Sequence, residues 1–294
     1  MSRTRLAVTQ PFDWERQLVF FAGRATPGVE AVCSGSYRRT LRVDGEPRVI
    51  EVSRSADGWS LSVDANGANP RSIRQLRDDA RRVFDVAAPV ADISTHLVGD
   101  PALARLLDDQ PGVRVPGAWD GFELTVRAIL GQQISVKAAT TIAGRIARRY
   151  GEKLGPQFDA SGSGLDRMFP TPQRLARARF NNLGLVQSRI DTIRRVAAKV
   201  AGNELRFDGS QSPEEWRASM LETRGIGPWT AEYVAMRALK DPDAFPASDL
   251  GLLSAIEPPR RVSPKDLEAR AERWRPWRAY AAMLLWGSLP GAGG

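Results

Sequence analysis

A chain of 294 residues, 42% hydrophobic and 26% charged, has room for two or three domains and the ordinary composition of a globular protein. Its net charge of +8 favours polyanionic partners such as nucleic acid or an anionic membrane surface. A single cysteine, Cys33, excludes an intrachain disulfide and a four-cysteine iron–sulfur cluster, and a single histidine, His96, argues against an ordinary zinc site or a Ser-His-Asp triad.

Residues 1–88 read as mixed α and β. Arg5 to Thr9 is a short strand, and Phe12 to Ala25 an amphipathic helix with Trp14, Leu18, Phe21 and Ala22 on one side. Leu41 and Val43, then Val49 and Val52, then Leu61 and Val63 alternate with polar residues as half-buried strands do. Asp57-Gly58 between two of these runs suits a hairpin turn. Ile73, Leu76, Ala80, Val83 and Phe84 mark a covering helix. Antiparallel strands with helices on one face predict a small α+β domain.

From Ala91 onward the period is helical. Phe122, Val126, Ile129 and Leu130 form one stripe and Ala139, Ile142, Ala143, Ile146 and Tyr150 the next, with Gly131-Gln132-Gln133 at the junction. DASGSG (159–164) is a Gly/Ser loop. Thr171-Pro172 and Ser263-Pro264 pair a cap with a proline at a helix start, and Ile190, Ile193, Ala197 and Val200 give a further stripe. Ser212-Pro213-Glu214-Glu215 predicts a capping box for a helix ending near Leu221. Gly225-Ile226-Gly227 then turns into Pro228, which suits a first helical position, and Ala231, Val234, Ala235, Ala238 and Leu239 continue as one stripe. The result is a helix, a tight glycine hairpin and a helix over about 212–239, whose amides favour an anion such as a DNA phosphate. Asp249, before the apolar segment Leu250 to Ile256, is placed to cap a helix. No apolar run of about 18 residues and no secretory segment occurs, which predicts a cytosolic protein without a membrane partner.

A G-I-G hairpin, a tryptophan directly after it (Trp229) and an aspartate twenty residues further on (Asp249) resemble the helix-hairpin-helix superfamily of base-excision DNA glycosylases. ILGQQISV (129–136), FPTPQRLA (169–176), GIGPWTAEYVAMRA (225–238) and AERWRPWRAYAAMLLW (271–286) resemble its alkylation-repair branch, 3-methyladenine DNA glycosylase II. PFDWERQLVFFAGRA (11–25) does so more loosely, and together these segments span nearly the whole chain.

The resemblance implies an N-terminal α+β domain over 1–88 and an all-α glycosylase core over 89–294, with the active-site cleft between two helical subdomains. It implies a monomer that flips alkylated purines out of duplex DNA and excises them, with Asp249 stabilising the oxocarbenium-like sugar. Trp229 stands where bifunctional relatives carry a lysine, which implies base release without strand cleavage. Trp229, Tyr233, Trp286, Phe20 and Leu250 match the base pocket, although Phe20 also reads as ordinary core, as do Trp274 and Trp277. Gln133, Thr223, Gly225, Gly227 and Thr230 match the DNA contacts. Gln133 is the wedge, where the relatives carry leucine. The carbonyls of Leu221, Thr223 and Ile226 match a monovalent cation site (Na or K), although Thr223-Arg224 replaces an apolar–proline pair, and no other cofactor is implied. A non-catalytic helix-hairpin-helix DNA-binding protein is the alternative.

Overall fold

The computed structural model describes residues 3–57, 60–65, 68–159, 162–258 and 260–289. Strands β1 (Arg3–Ala7), β2 (Glu30–Cys33), β3 (Ser36–Val43), β4 (Glu46–Arg54) and β5 (Ser60–Ala65) form one antiparallel sheet in the order β1-β5-β4-β3-β2. Its register explains the alternation in the sequence. Tyr37 lies opposite Val52 and Val52 opposite Val63, a row of fully buried side chains across three strands. Two helices cover that row, α1 (Trp14–Ala22), capped by Asp13, and α2 (Pro70–Val83), capped by Asn69. The short edge strand β2 is not anticipated, because its four residues EAVC carry too little alternation to announce it. Of the expected Asp57-Gly58 turn, Gly58 lies outside the described residues, as do Ala160 and Ser161 of the DASGSG loop.

The remainder is helical: α3 (Val90–Leu97), α4 (Pro101–Asp109), α5 (Gly121–Gly131), α6 (Val136–Tyr150), α7 (Pro172–Ala176), α8 (Gln187–Ala201), α9 (Pro213–Leu221), α10 (Pro228–Val234), α11 (Leu250–Ala255), α12 (Pro264–Ala271) and α13 (Arg278–Gly287). The caps read from sequence are present. Ser212 and Glu215 form the reciprocal capping box of α9, while Thr171 and Ser263 cap α7 and α12 ahead of their prolines. The stripe from Ala231 to Leu239 is not one α-helix, however. After Val234 the backbone widens into a π-helical turn, Ala235–Leu239, closed by Lys240 in the left-handed region at φ 59°. Trp274 is buried in the helical core and its indole donates to Asp100 at 3.0 Å, while Trp277 is partly buried against the same core.

The sheet is tied to the helices by buried charges. Arg39 of β3 pairs with Glu30 of β2 at 3.1 Å and with Glu123 of α5 at 2.9 Å, and Arg127 of α5 returns to Glu30 at 2.8 Å. The Tyr37 hydroxyl completes the group by donating to Glu30 at 2.6 Å. Arg127 also donates to the main-chain carbonyl of Arg24, fixing the segment after α1 against α5.

Candidate active site

A cleft of about 1460 Å³ opens between the α5–α6 turn, the start of α10 and the start of α11, with α1 and α13 behind it. Asp249 is the N-cap of α11, and its Oδ1 accepts the N–H groups of Gly251 at 2.9 Å and Leu252 at 3.0 Å. Two indoles bind the same carboxylate. Trp286 Nε1 donates to Oδ1 at 2.9 Å and Trp229 Nε1 donates to Oδ2 at 2.7 Å. Four donors therefore fix the group, three on Oδ1 and one on Oδ2, so Oδ2 keeps the greater capacity to accept. Space around the cap is tight: a Cβ on Gly251 would lie 3.0 Å from Asp249 Oδ1 and 2.9 Å from Leu289.

The cleft wall is aromatic. Trp229 and Tyr233, one turn apart on α10, stack with ring centroids 5.3 Å apart and an 8° angle, and Trp286 meets Tyr233 edge-on at 6.1 Å. Phe20 from α1 lies beneath, buried in the core and also lining the cleft. Leu250 stands on the rim, 63% exposed.

Two guanidinium groups flank Phe20. Arg24 lies 4.0 Å and Arg237 4.8 Å from its ring centroid. Arg237 comes from the π-helical turn and is anchored by three bonds, donating to Pro116 O, Gly117 O and the Tyr233 hydroxyl at 2.8, 3.0 and 2.7 Å. Arg24 donates to Phe20 O at 3.2 Å and, among the described residues, has no carboxylate within ion-pair distance. Burial pushes its pKa below the usual arginine value, the Tyr233 hydroxyl beside it opposes that shift, and the nearby Arg237 and Arg127 cations add to it. Burial would raise the Tyr233 phenol, yet the adjacent Arg237 and Arg24 cations bring it below its usual value.

At the hairpin, Gly225 adopts φ +96° and a Cβ there would meet Thr192 Oγ1 at 1.9 Å, so this position requires glycine on two counts. Ile226 N–H closes the turn onto Thr223 O at 2.9 Å. Among the described residues, the N–H groups of Gly225 and Gly227 donate no backbone hydrogen bond, and the carbonyls of Leu221 and Ile226 accept none. Open amides suit an anion and open neutral carbonyls suit a singly charged cation, so the residues fit both groups implied by the resemblance. Thr223 and Thr230 are buried, Thr223 donating through its hydroxyl to Ser219 O at 3.2 Å and through its N–H to Met220 O at 3.0 Å, and Thr230 accepting from Gln132 at 3.0 Å.

Gln133 is exposed in the α5–α6 turn, lines the cleft and has φ 61°, a left-handed conformation that pushes the turn outward. Its neighbour Gln132 is a residue that sequence reasoning passed over. Gln132 Nε2 donates to Gly225 O at 3.1 Å and to Thr230 Oγ1, while Gln132 O accepts from Arg189. One side chain thus ties the Gln133 turn to the glycine hairpin. The doubled glutamine after Gly131 was the only available signal.

Residues 3–120 match the AlkA N-terminal domain, and residues 126–279 match the HhH-GPD superfamily base excision DNA repair protein family. The chain is 37% identical over 286 residues to a probable bifunctional transcriptional activator/DNA repair enzyme AlkA of Mycobacterium tuberculosis, covering 97% of this chain but only 56% of that protein. It is 32% identical to DNA-3-methyladenine glycosylase 2 of Escherichia coli, covering 94% of each chain. Among solved structures, a 3-methyladenine DNA-glycosylase from Archaeoglobus fulgidus superposes with a TM-score of 0.81 at 25% identity, over 97% of each chain. The chain therefore belongs to the HhH-GPD superfamily of base excision DNA repair proteins, in the branch that carries an AlkA N-terminal domain.

Proposed function

We propose that this protein is a monofunctional DNA glycosylase that flips alkylated purines, such as 3-methyladenine and 7-methylguanine, out of duplex DNA and hydrolyses their N-glycosidic bonds. The observation that carries this reading is Asp249, a carboxylate locked by four N–H donors at the end of an aromatic cleft. As the C1′–N bond breaks, its electron pair leaves with the base and positive charge builds on the deoxyribose. A preoriented carboxylate stabilises that charge without reorganising, and its freer oxygen, Oδ2, is the one suited to face the sugar. Water then adds at C1′ with Asp249 accepting its hydrogen bond. A methylated purine carrying positive charge is attracted to the Trp229, Tyr233 and Trp286 faces and leaves readily, so the cleft needs no strong general acid.

Trp229 bears no amine, and its indole nitrogen is occupied by Asp249, so the site has no Schiff-base nucleophile at that position. Duplex DNA is gripped by phosphates at the open amides of Gly225 and Gly227, with the exposed Arg224 beside them, and Gln133 fills the place of the flipped nucleotide. A Na or K ion held by the carbonyls of Leu221, Thr223 and Ile226 would supply positive charge beside that phosphate. Relatives sharing the fold include a Schizosaccharomyces pombe 3-methyladenine DNA glycosylase solved with abasic DNA, at 24% identity and a TM-score of 0.56. A non-catalytic DNA-binding module has no use for a carboxylate held by two tryptophans. Incubation of the protein with methylated duplex DNA tests the proposal. Free methylated purines with intact strands are expected, whereas no base release, or strand cleavage without alkali, would overturn it.

A further inference from the structure

The aromatic wall has two chemically different ends. At one end Trp229 holds Asp249, and at the other the Tyr233 hydroxyl meets Arg237 at 2.7 Å, with Arg24 alongside over Phe20. A flipped purine whose glycosidic nitrogen is presented to Asp249 directs the far edge of its six-membered ring, where the C6 substituent sits, toward the guanidinium end. Arg237 is buried and anchored there, with Nε, Nη1 and Nη2 each donating one bond, to Pro116 O, the Tyr233 hydroxyl and Gly117 O. Arg24 differs. It donates to Phe20 O at 3.2 Å and has the Tyr233 hydroxyl beside it, its neighbours Arg237 and Arg127 are cations, and the buried carboxylates Glu30 and Glu123 are engaged by Arg39 and Arg127. A cation lining a cleft without a carboxylate partner offers several N–H donors to whatever enters.

We propose that Arg24 is a specificity residue that reads the C6 substituent of the flipped base, favouring a keto oxygen over an amino group. This rests on the glycosylase reading above and divides its substrates. 7-Methylguanine presents O6, an acceptor that the guanidinium can bond. 3-Methyladenine presents an exocyclic amine, a donor that meets donors. Both bases carry positive charge, so repulsion from Arg24 and Arg237 weighs on both and cancels from their ratio. What remains is one charge-assisted hydrogen bond made to one base and denied to the other.

The test is the ratio of single-turnover release rates, 7-methylguanine to 3-methyladenine, from duplexes each carrying one lesion. The comparison is between wild type, Arg24→Met and Arg24→Gln. A ratio is insensitive to the fraction of folded enzyme, since both bases are released by the same preparation. Arg24→Met keeps the stem over Phe20 and removes the donors, so the ratio should fall on the order of tenfold or more. Arg24→Gln can accept from the amine as well as donate to the oxygen, so its ratio should fall also. A ratio within about twofold of wild type in both variants, or loss of both bases alike, would overturn the assignment while leaving the glycosylase reading intact. Failure of the wild type to release either base would overturn that reading and this inference together.

Discussion

At the residue scale the account turns on how one carboxylate is held. Asp249 is legible in the sequence through its spacing from the hairpin and its place before an apolar helix, and both expected features, cap and cleft position, occur in one side chain. What the sequence does not reveal is that Trp229 and Trp286 are its hydrogen-bond donors, because indole N–H direction depends on how α10, α11 and α13 pack. The asymmetry of the carboxylate gives an ordered expectation. Trp229→Phe preserves the stack on Tyr233 but strips Oδ2 of its donor, and a hydrogen bond to a charged group contributes about 1.5–3 kcal/mol. Single-turnover base release should therefore fall roughly tenfold or more. Trp286→Phe leaves Oδ1 with the Gly251 and Leu252 amides and should cost less. The reverse order would show that the indoles act only as walls. Gln133→Ala should weaken binding to an abasic-analogue duplex by about 1–3 kcal/mol while sparing undamaged duplex, as loss of a side chain that plugs a vacated stack requires. Equal losses on the two duplexes, measured by fluorescence anisotropy, would make Gln133 an ordinary surface contact.

At the scale of elements, local rules governed most of the chain. Helix starts written as cap plus proline at Thr171, Ser212 and Ser263 are where the helices begin, because those signals are satisfied within one turn. Features set by tertiary packing were not legible. The π-helical turn breaks no apolar period, yet it aims Arg237 at Pro116, Gly117 and Tyr233; β2 forms because β3 offers it an edge; and Gln132 acquires its role from a hairpin 93 residues away. Gly225→Ala combines left-handed strain with a clash against Thr192 and should lower stability by roughly 2–4 kcal/mol in denaturant titration. An unchanged midpoint would contradict the hairpin geometry. Asp100, the buried cap of α4, gives an acid-side test. Burial would raise its carboxyl, but hydrogen bonds from Arg270, Ala102 N–H and Trp274 hold it at about 2. A carboxyl depressed in the folded state adds stability above its ordinary value of about 3.9 and loses that contribution as pH falls toward 2. Asp100→Asn should therefore cost about 2 kcal/mol or more at pH 6 and distinctly less near pH 2.5, and a pH-independent difference would contradict it.

At the scale of the whole molecule, a sheet domain and a helical core are joined through the Glu30–Arg39–Glu123–Arg127 group, and Arg127 from that group holds the backbone of Arg24 beside the cleft. Glu123→Ala leaves Arg39 and Arg127 short of a buried partner and should cost about 3–5 kcal/mol, accompanied by slower base release as the Arg24 segment loosens. Full activity in a strongly destabilised variant would separate the junction from the site. The net charge of +8 predicts that affinity for undamaged duplex falls steeply with salt, with a log–log slope of about −0.9 for each phosphate neutralised. A flat dependence would exclude docking through phosphates. The central claim is that Asp249 supplies the charge that opposes the developing sugar cation, and it is tested most directly by single-turnover release of methylated purines from duplex DNA by wild type and Asp249→Asn. Asparagine keeps the size and much of the capping but removes the charge, so the rate should drop about a hundredfold or more while abasic-DNA binding persists and borohydride traps no adduct. Near-equal rates, or a covalent adduct trapped with the wild type, would contradict the account.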